Sequence, residues 1–246
     1  MASRTGGRAR LDQALAEAGL VPSRQQAQAL ILAGRVRVAG ETVRRPDRLV
    51  GSGEPLALEA GPAYASRGGE KLAPALAAFG VGVTGRVCAD LGASTGGFTD
   101  VLLKSGARRV YAVDVGRGLL AWRLRQDPRV VLMERVNARH LEAFPEPVTL
   151  ATVDVSFIGL EKVLPALRRA APAAEVVTLF KPQFQVGRGQ VGKGGVVRDP
   201  QAVAAALAAF RDWCAANRYR VAAEAPSEVA GAKGNREIFF HLVPQA

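Results

Sequence analysis

The 246-residue chain has 33 lysines and arginines against 22 aspartates and glutamates, and 48% of its residues are hydrophobic. This length and apolar content are sufficient for a packed core, which argues against wholesale disorder and against fibrous repeats. The formal net charge of +11 favours a polyanionic partner, with nucleic acid ahead of an anionic membrane surface.

The cysteine content and the apolar runs limit the class of protein further. Cys88 and Cys214 are too few for a disulfide framework or a zinc site, which favours a reducing, cytoplasmic compartment and no bound metal. The basic N-terminus is not followed by the apolar stretch of a secretory signal. No apolar run approaches the roughly 20 residues that span a bilayer, so we expect a soluble protein that does not act in a membrane.

Residues 10–60 predict a small α+β unit. The segments RLDQALAEAG and PSRQQAQALILAG have helical periodicity, the second with Ser23 as its N-cap, and RVRV and PLALE predict short strands. Two helices followed by RVRVAGETV in a basic chain resemble the small S4-type RNA-binding domain, which is named after a protein of the small ribosomal subunit.

Arginines dominate the charge of this unit, because Glu41 and Asp47 are the only acids between residues 24 and 48. A solvated basic face would account for the pattern, whereas the resemblance implies a surface for RNA. The candidate RNA-binding residues of the unit are Arg24, Arg35, Arg37, Arg44 and Arg45.

From residue 86 onward, apolar strands alternate with helical stretches. The candidate strands are RVCAD, RVYAVDV, VVLMER, LATVDV, EVVTLFK, YRVAAEAP and EIFFHLV. The alternation predicts a parallel sheet with helices on both faces, and we expect the last two strands to pair antiparallel at one edge. The fold class is therefore α/β: a Rossmann-like methyltransferase domain with a seven-stranded, mainly parallel sheet (71–246), a small α+β domain (1–60) before it, and a linker (61–70).

A glycine-rich basic segment, QFQVGRGQVGKGGVVRD, begins at residue 183. A long loop of this kind inside a compact domain is usually functional, although it can also be a tolerated insertion. We therefore expect Arg188 and Lys193 to contact RNA from a loop that closes over the target nucleotide.

The segment DLGASTGGFTD predicts a strand-to-helix turn where a ligand approaches the backbone closely. Its G-x-x-x-G-G spacing differs from the G-x-G-x-x-G of dinucleotide enzymes, which disfavours a nicotinamide-dependent oxidoreductase. In enzymes that use S-adenosylmethionine, the same turn accommodates the methionine part of the cofactor and the nearby ribose. The candidate cofactor-binding residues of the turn are Asp90, Gly92, Ser94, Gly96, Gly97 and Phe98.

Two residues farther along the chain extend this candidate site. Asp114 ends the second strand, 22 positions after Gly92, where a carboxylate can accept both hydroxyls of an adenosine ribose. Asn137 follows the third strand and is placed to contact the adenine. The alternative interpretations are a strand-terminal turn acid for Asp114 and an ordinary loop residue for Asn137.

Four charged residues form the catalytic hypothesis. Asp154 and Lys181 follow apolar strands, and the carboxyl ends of parallel strands meet at the ligand crevice. Glu237 begins an apparently antiparallel strand, which brings it to the same edge, and Lys71 lies before the sheet. A structural ion pair is the alternative interpretation for Lys181.

Seven motifs together resemble a known family. In chain order they are SRGGEKL, DLGASTGGFTD, VYAVDVG, DVSFIGL, LFKPQFQVG, KGGVVRDP and GNREIFF. They resemble the FtsJ-like ribose 2′-O-methyltransferases and, within them, the TlyA (haemolysin A) family of ribosomal RNA methyltransferases. The resemblance implies S-adenosylmethionine as cofactor, methylation of a cytidine ribose in ribosomal RNA, and a catalytic tetrad of Lys71, Asp154, Lys181 and Glu237.

The sequence departs from the family pattern before SRGGEKL. Some members have an Arg-x-Trp-Val linker there, and this chain has Pro62, Ala63, Tyr64 and Ala65 instead. The resemblance therefore does not extend to the linker-coupled control of those members.

Lys181 is the candidate general base for this chemistry. A ribose hydroxyl is a poor nucleophile until its proton leaves, and lysine, unlike arginine, can be deprotonated in a protein. Partial desolvation and the nearby positive charges of Lys71 and the cofactor favour the neutral amine, whereas Asp154 opposes it while orienting Lys181. The alternative functions are a non-catalytic ribosome-assembly factor and a membrane-active haemolysin.

Overall fold

The chain divides into two compact units, Met1–Ala63 and Tyr64–Ala246. The computed structural model describes residues 7–59, 61–231 and 234–245. Because the boundary follows Ala63, the predicted linker (61–70) is divided between the units, and the second unit begins before Lys71.

Within residues 7–59, the N-terminal unit has two short helices and five short strands. They are β1 (Ala9–Arg10), α1 (Leu11–Glu17), α2 (Arg24–Leu32), β2 (Val36–Val38), β3 (Glu41–Val43), β4 (Leu49–Val50) and β5 (Leu56–Leu58). Strand β2 pairs antiparallel with β3 and β5, and β1 pairs antiparallel with β4. Leu15, Ile31 and Val36 lie in its core. Both predicted helices are confirmed, and Ser23 caps α2 by accepting from the backbone N–H of Gln26.

The C-terminal unit alternates strands with helices. Its helices are α3 (Arg67–Phe79), α4 (Gly97–Lys104), α5 (Trp122–Arg125), α6 (Leu164–Ala170), α7 (Pro182–Gln185) and α8 (Pro200–Ala216). Its strands are β6 (Val87–Leu91), β7 (Arg109–Asp114), β8 (Val130–Glu134), β9 (Leu150–Val153), β10 (Glu175–Phe180), β11 (Tyr219–Pro226) and β12 (Ile238–Pro244). It also contains 3₁₀ turns at Ala138–His140, Leu160–Lys162 and Arg188–Gln190.

All seven predicted strands join one sheet, in the order β11-β12-β10-β9-β6-β7-β8. The five strands from β10 to β8 are parallel, and β12 pairs antiparallel with both β10 and β11. The predicted antiparallel pairing of the last two strands is confirmed. The later strand, β12, lies inside the sheet, and β11 forms the edge.

The burial of each strand follows its place in the sheet. All five residues of β6 are buried, as expected of a strand that helices cover on both faces, whereas along β11 more exposed and more buried residues alternate. One face packs against α6 and α8 through Leu164 and Phe210, and the other packs against α3 and α4 through Leu72 and Leu102. The apolar core therefore lies on both faces of the sheet.

The topology determines where a ligand crevice can form. Strand β6 has β9 on one side and β7 on the other, so the chain changes direction across the sheet at β6. In open α/β sheets, ligands bind outside the carboxyl ends of the strands at this kind of position. Glu237 reaches the same edge because Ile238, at the start of antiparallel β12, pairs with Phe180 at the end of β10.

Candidate active site

Two adjoining cavities lie at the carboxyl ends of the parallel strands, with volumes of about 500 and 290 Å³. Their linings share Gly92, Ser94, Asp154, Ser156 and Phe157. The larger cavity, called here the tetrad cavity, contains all four charged residues of the catalytic hypothesis. The smaller one, the adenosine-side cavity, is lined by Asp114 and Asn137.

Lys71 and Glu237 form the first charged pair of the tetrad cavity. Lys71 lies in α3, and its Nζ donates to Glu237 Oε2 over 2.6 Å. The side chains are 12% and 3% exposed, so the pair is largely removed from water. Gly231 packs directly against the Glu237 carboxylate, and a Cβ at that position would collide with it. The missing side chain of Gly231 therefore leaves room for the carboxylate.

Lys181 and Asp154 form the second pair. They follow neighbouring parallel strands, β10 and β9, and Lys181 Nζ lies 2.5 Å from Asp154 Oδ1. Lys181 Nζ also donates to Ser156 Oγ over 3.1 Å. The structure thus brings Lys71, Asp154, Lys181 and Glu237 to one cavity as two lysine–carboxylate pairs.

The glycines at the turn from β6 into α4 differ in what they pack against and in whether they line a cavity. Gly92 has φ +85°, and a Cβ there would lie 2.5 Å from the Asp154 carbonyl oxygen. Gly97 packs against Ser66 Oγ in the segment that leads into α3. Both line the tetrad cavity. Gly96, which the sequence analysis named as cofactor-binding, lines neither cavity and packs against Leu120 and Leu124.

Asp114 is held by the backbone around it. Its Oδ2 accepts from the N–H of Ser94 over 2.8 Å, and its Oδ1 accepts from the N–H of Gly116 over 2.7 Å. Each carboxylate oxygen can accept a further hydrogen bond. The strand-terminal turn role and a ligand role are therefore compatible in this residue.

Asn137 follows β8 in the sequence and lines the adenosine-side cavity. Its Oδ1 accepts from the N–H of Arg139 over 3.1 Å and so caps the 3₁₀ turn Ala138–His140. Because the oxygen is committed to the cap, the side-chain NH₂ group is the part that can donate to a ligand.

Asp90 and Phe98 differ in their access to the cavities. Asp90 is fully buried beneath the turn, accepts from Thr99 Oγ1 over 2.6 Å and Thr152 Oγ1 over 3.0 Å, and lines neither cavity. Burial raises its pKa to about 6. Phe98 lines the tetrad cavity, and its ring centroid lies 6.1 Å from that of Phe239. The structure therefore places Asp90 as a support of the turn.

Two residues that the sequence reasoning missed line both cavities, Ser156 and Phe157. Phe157 is 91% exposed and has φ +65°, a backbone conformation that is rare for a bulky residue. Its ring centroid lies 5.2 Å from that of Phe184. Ser156 and Phe157 follow Asp154 by two and three positions at a strand end of the crevice, and this position was the available signal in the sequence.

In the N-terminal unit, the predicted RNA-binding Arg24 has a structural partner. Its Nε donates to Asp12 Oδ2 over 2.9 Å, and Asp12 is completely buried. Burial alone would raise the pKa of Asp12, but hydrogen bonds from Arg10, Gln28 and Arg24 hold it well below its usual range. This cluster joins α1 to α2.

The other four predicted arginines differ in how far they are paired. Arg35 donates to the carbonyl oxygen of Glu59 over 3.0 Å, and Arg37 pairs with the Glu59 carboxylate at 2.5 Å. Arg45 pairs with Asp47 at 3.2 Å on the surface. Arg44 has no ion pair within the described residues and lines an open depression together with Arg45 and Arg48.

The glycine-rich loop (residues 186–198) contributes Val191 and Gly195 to the lining of the tetrad cavity. The predicted Lys193 is exposed on this loop. The backbone of Arg188 begins a 3₁₀ turn, while its side chain lies outside the described part of the structure.

The described residues offer neither a cluster of metal ligands nor a membrane-spanning helix. Residues 7–59, 61–231 and 234–245 contain no group of three or more His, Cys, Asp or Glu side chains that could hold a metal ion. No helix in these ranges is long and apolar enough to cross a membrane.

Comparison with known proteins identifies the family. Residues 64–243 match the model of the FtsJ-like methyltransferases, and residues 9–56 match the S4 domain. The 16S/23S rRNA (cytidine-2′-O)-methyltransferase TlyA of Mycobacterium tuberculosis (strain H37Rv) is 48% identical over 243 residues, which are 97% of this chain and 91% of that protein. The chain belongs to the TlyA family of FtsJ-like methyltransferases.

Other relatives agree with this family and fold. Hemolysin A of Brachyspira hyodysenteriae is 40% identical over 95% of this chain and 99% of its own length. A solved structure from Streptococcus thermophilus has a TM-score of 0.73 at 40% identity and covers 97% of this chain and 89% of its own. The magnesium protoporphyrin IX methyltransferase of Synechocystis, solved with bound SAH, has a TM-score of 0.51 over 72% of this chain and 82% of its own, and at 14% identity it supports the fold alone.

Proposed function

We propose that this TlyA-family chain transfers a methyl group from S-adenosylmethionine to the ribose 2′-hydroxyl of a cytidine in ribosomal RNA. One observation carries the proposal: two lysine–carboxylate pairs line the tetrad cavity, which adjoins the adenosine-side cavity. The name of the Mycobacterium tuberculosis relative supports the choice of ribosomal RNA and of cytidine.

The residues present fit the cofactor. Gly92 lets the turn pack against the Asp154 backbone, where a Cβ would collide, and it lines both cavities. Asp114 keeps acceptor capacity on both oxygens for the ribose hydroxyls, and the Asn137 NH₂ group can donate to an adenine ring nitrogen. Gly92, Ser94 and Gly97 would then lie beside the methionine part.

S-adenosylmethionine, when bound, supplies a methyl group on positively charged sulfur for in-line displacement. Lys181, as the general base, would accept the proton of the 2′-hydroxyl, and the hydroxyl oxygen would then be free to attack the methyl group that the cofactor would supply. Asp154 and Ser156 contact Lys181 Nζ and fix its direction. Holding base, hydroxyl and methyl donor in line accounts for much of the rate enhancement.

The tetrad cavity is lined by charges of both signs. The two lysines and the two carboxylates balance one another, and Arg67 lines the same cavity. A cationic ligand there would add to the positive charge of a partly buried site, where like charges repel more strongly than in water, and this repulsion is the physical argument for lysine as the base. Lys71, held by Glu237, keeps its own charge neutralised and positions the ribose.

RNA recruitment in this proposal is shared by two surfaces. The arginines of the N-terminal unit bind phosphates, and Lys193 does the same from the glycine-rich loop. The exposed ring of Phe157, next to Phe184, offers a stacking surface for a nucleotide that has left a helix.

The test is to incubate the protein with methyl-labelled S-adenosylmethionine and separated, unmodified ribosomal subunits. We expect label in the RNA of at least one subunit, located at cytidine 2′-O-methyl by nuclease digestion, and none with Lys181→Ala. Cofactor binding without label in either subunit would favour the non-catalytic assembly factor instead.

A further inference from the structure

Asn235 is a buried polar residue that the proposed mechanism does not use. It is 3% exposed, and both ends of its side-chain amide are engaged. Nδ2 donates to the carbonyl oxygen of Gly195 over 2.8 Å, and Oδ1 accepts from the N–H of Val197 over 3.0 Å. Both partners are backbone groups of the glycine-rich loop, so one side chain holds the loop at two points.

The loop segment that Asn235 holds, residues 192–196, forms a hydrogen-bonded turn. Gly192 donates to the carbonyl oxygen of Val196 and Gly195 donates to that of Gly192, each over 3.0 Å. Gly194 and Gly195 have φ of +85° and +81°, which side chains rarely adopt. Because this turn is preformed, fixing it at Gly195 and Val197 also fixes Val191, which lines the tetrad cavity.

Asn235 and Glu237 are coupled through the same short segment. Both are buried while Arg236 between them is exposed, as expected where alternate residues of an extended chain share a side. The carbonyl oxygen of Asn235 accepts from the N–H of Gly231, the residue that packs against the Glu237 carboxylate. Asn235 therefore holds the loop, and Glu237, two residues later, holds Lys71.

We propose that Asn235 is a positioning residue that fixes the glycine-rich loop over the tetrad cavity, in register with Glu237, so that the loop and the tetrad engage the same RNA nucleotide. This inference rests on the proposed transfer to RNA. It requires an amide at position 235, since the site presents one acceptor and one donor. A carboxylate would accept from Val197 but repel the Gly195 carbonyl, and a methyl group would lose both bonds.

The experiment compares Asn235→Asp and Asn235→Ala with the parent protein and with Asn217→Asp. The control substitution Asn217→Asp makes the same chemical change at an exposed position at the end of α8, and Asn217 lines neither cavity. Three quantities are measured on each full-length protein: the rate of trypsin cleavage after Lys193, the dissociation constant of S-adenosylmethionine, and kcat and KM for unmodified ribosomal subunits. Thermal unfolding checks that each variant is folded.

For both Asn235 variants we expect faster cleavage after Lys193 and a KM for the subunits raised by roughly tenfold or more, the scale of a lost buried hydrogen bond. The cofactor dissociation constant should stay within about twofold of the parent: Asn235 lines the tetrad cavity and not the adenosine-side cavity, and its amide group is engaged by the loop backbone at both ends. Asn217→Asp should match the parent in cleavage, cofactor affinity and turnover, and it should lose some thermal stability because Asn217 donates to the Trp213 carbonyl oxygen at the end of α8.

Unchanged cleavage and KM in folded Asn235→Ala would overturn the proposal. So would an equal loss of cofactor binding and of RNA turnover, since that pattern belongs to a residue that only supports the fold. Failure of the proposed function has a different signature: the parent protein then labels no RNA, while the cleavage comparison still reports on the loop.

Discussion

Charged residues are used differently in the two units of this protein. In the N-terminal unit, Arg37–Glu59 and Arg45–Asp47 leave 38–79% of each side chain exposed. In the C-terminal unit, the two tetrad pairs leave only 3–22% exposed. Exposed pairs contribute little to stability, so an arginine in such a pair can readily exchange its carboxylate partner for a phosphate. Breaking a buried pair, by contrast, leaves a charge without a partner in the interior. The first arrangement suits affinity for RNA, and the second suits chemistry.

Burial by itself does not distinguish a reactive charge from a structural one. Asp12 is as buried as any charged residue of the tetrad, yet Arg10, Arg24 and Gln28 take up its carboxylate, and it lines none of the cavities described above. The tetrad pairs combine burial with an open cavity beside them. The comparison therefore predicts large effects on turnover in one unit and smaller, salt-dependent effects in the other.

The largest effect is expected for Lys181→Arg. Arginine keeps a positive charge beside Asp154 but cannot accept a proton, so methyl transfer should fall roughly 10³-fold, within the range typical of a lost general base. Cofactor affinity, measured by calorimetry, should change by no more than about threefold. Lys162→Arg, on an exposed 3₁₀ turn, is the matched control. Near-normal turnover of Lys181→Arg would exclude the base assignment.

The next effect concerns the buried pair of Lys71 and Glu237. Glu237→Gln leaves the ammonium group of Lys71 without a counter-charge and should lower the free energy of unfolding by about 3 kcal/mol. The double variant Lys71→Met/Glu237→Gln removes both charges and should recover much of that loss without recovering activity. Urea unfolding of the parent protein, Glu237→Gln and the double variant measures this. If the double variant were as unstable as Glu237→Gln, the instability would not come from the stranded charge.

Asp90 provides a test through pH. Burial raises its pKa to about 6, so the folded state holds the proton more tightly than the unfolded state does. The associated stability is complete below about pH 4 and is lost as the pH rises through about 6, with an upper bound of about 3 kcal/mol. Asp90→Asn should therefore flatten the stability profile between pH 4 and 7, as measured by denaturant unfolding. An unchanged profile would show that Asp90 does not titrate in this range.

The fold was largely predictable because its signals are local. The seven strands are apolar runs, and the positions of Asp154, Lys181 and Glu237 followed from the rule that the carboxyl ends of parallel strands meet at the crevice. The inclusion of Lys71 and the catalytic roles came from the family resemblance. The missed features depend on contacts between distant segments. Asp90 belongs to a buried strand, and its partner Thr152 lies 62 residues away. The pairing of Arg24 with Asp12 and of Asn235 with Gly195 likewise depends on packing that no sequence period encodes.

The smallest effect is expected in the N-terminal unit. Arg44→Ala removes a guanidinium that has no ion pair within the described residues, so stability should change by less than about 0.5 kcal/mol. Affinity for ribosomal RNA should fall severalfold at low salt. The slope of log affinity against log salt should become less steep by about one unit, as expected for the loss of one phosphate contact.

Arg24→Ala is the informative comparison for that measurement, because Arg24 is tied to buried Asp12. It should destabilise the unit as well as weaken RNA binding, whereas Arg44→Ala should weaken RNA binding alone. If both variants lost only stability, the basic face of this unit would be a solvated surface and the RNA contacts would have to come from the catalytic unit. Measuring binding at two salt concentrations separates these outcomes, since phosphate contacts are screened by salt and apolar packing is not.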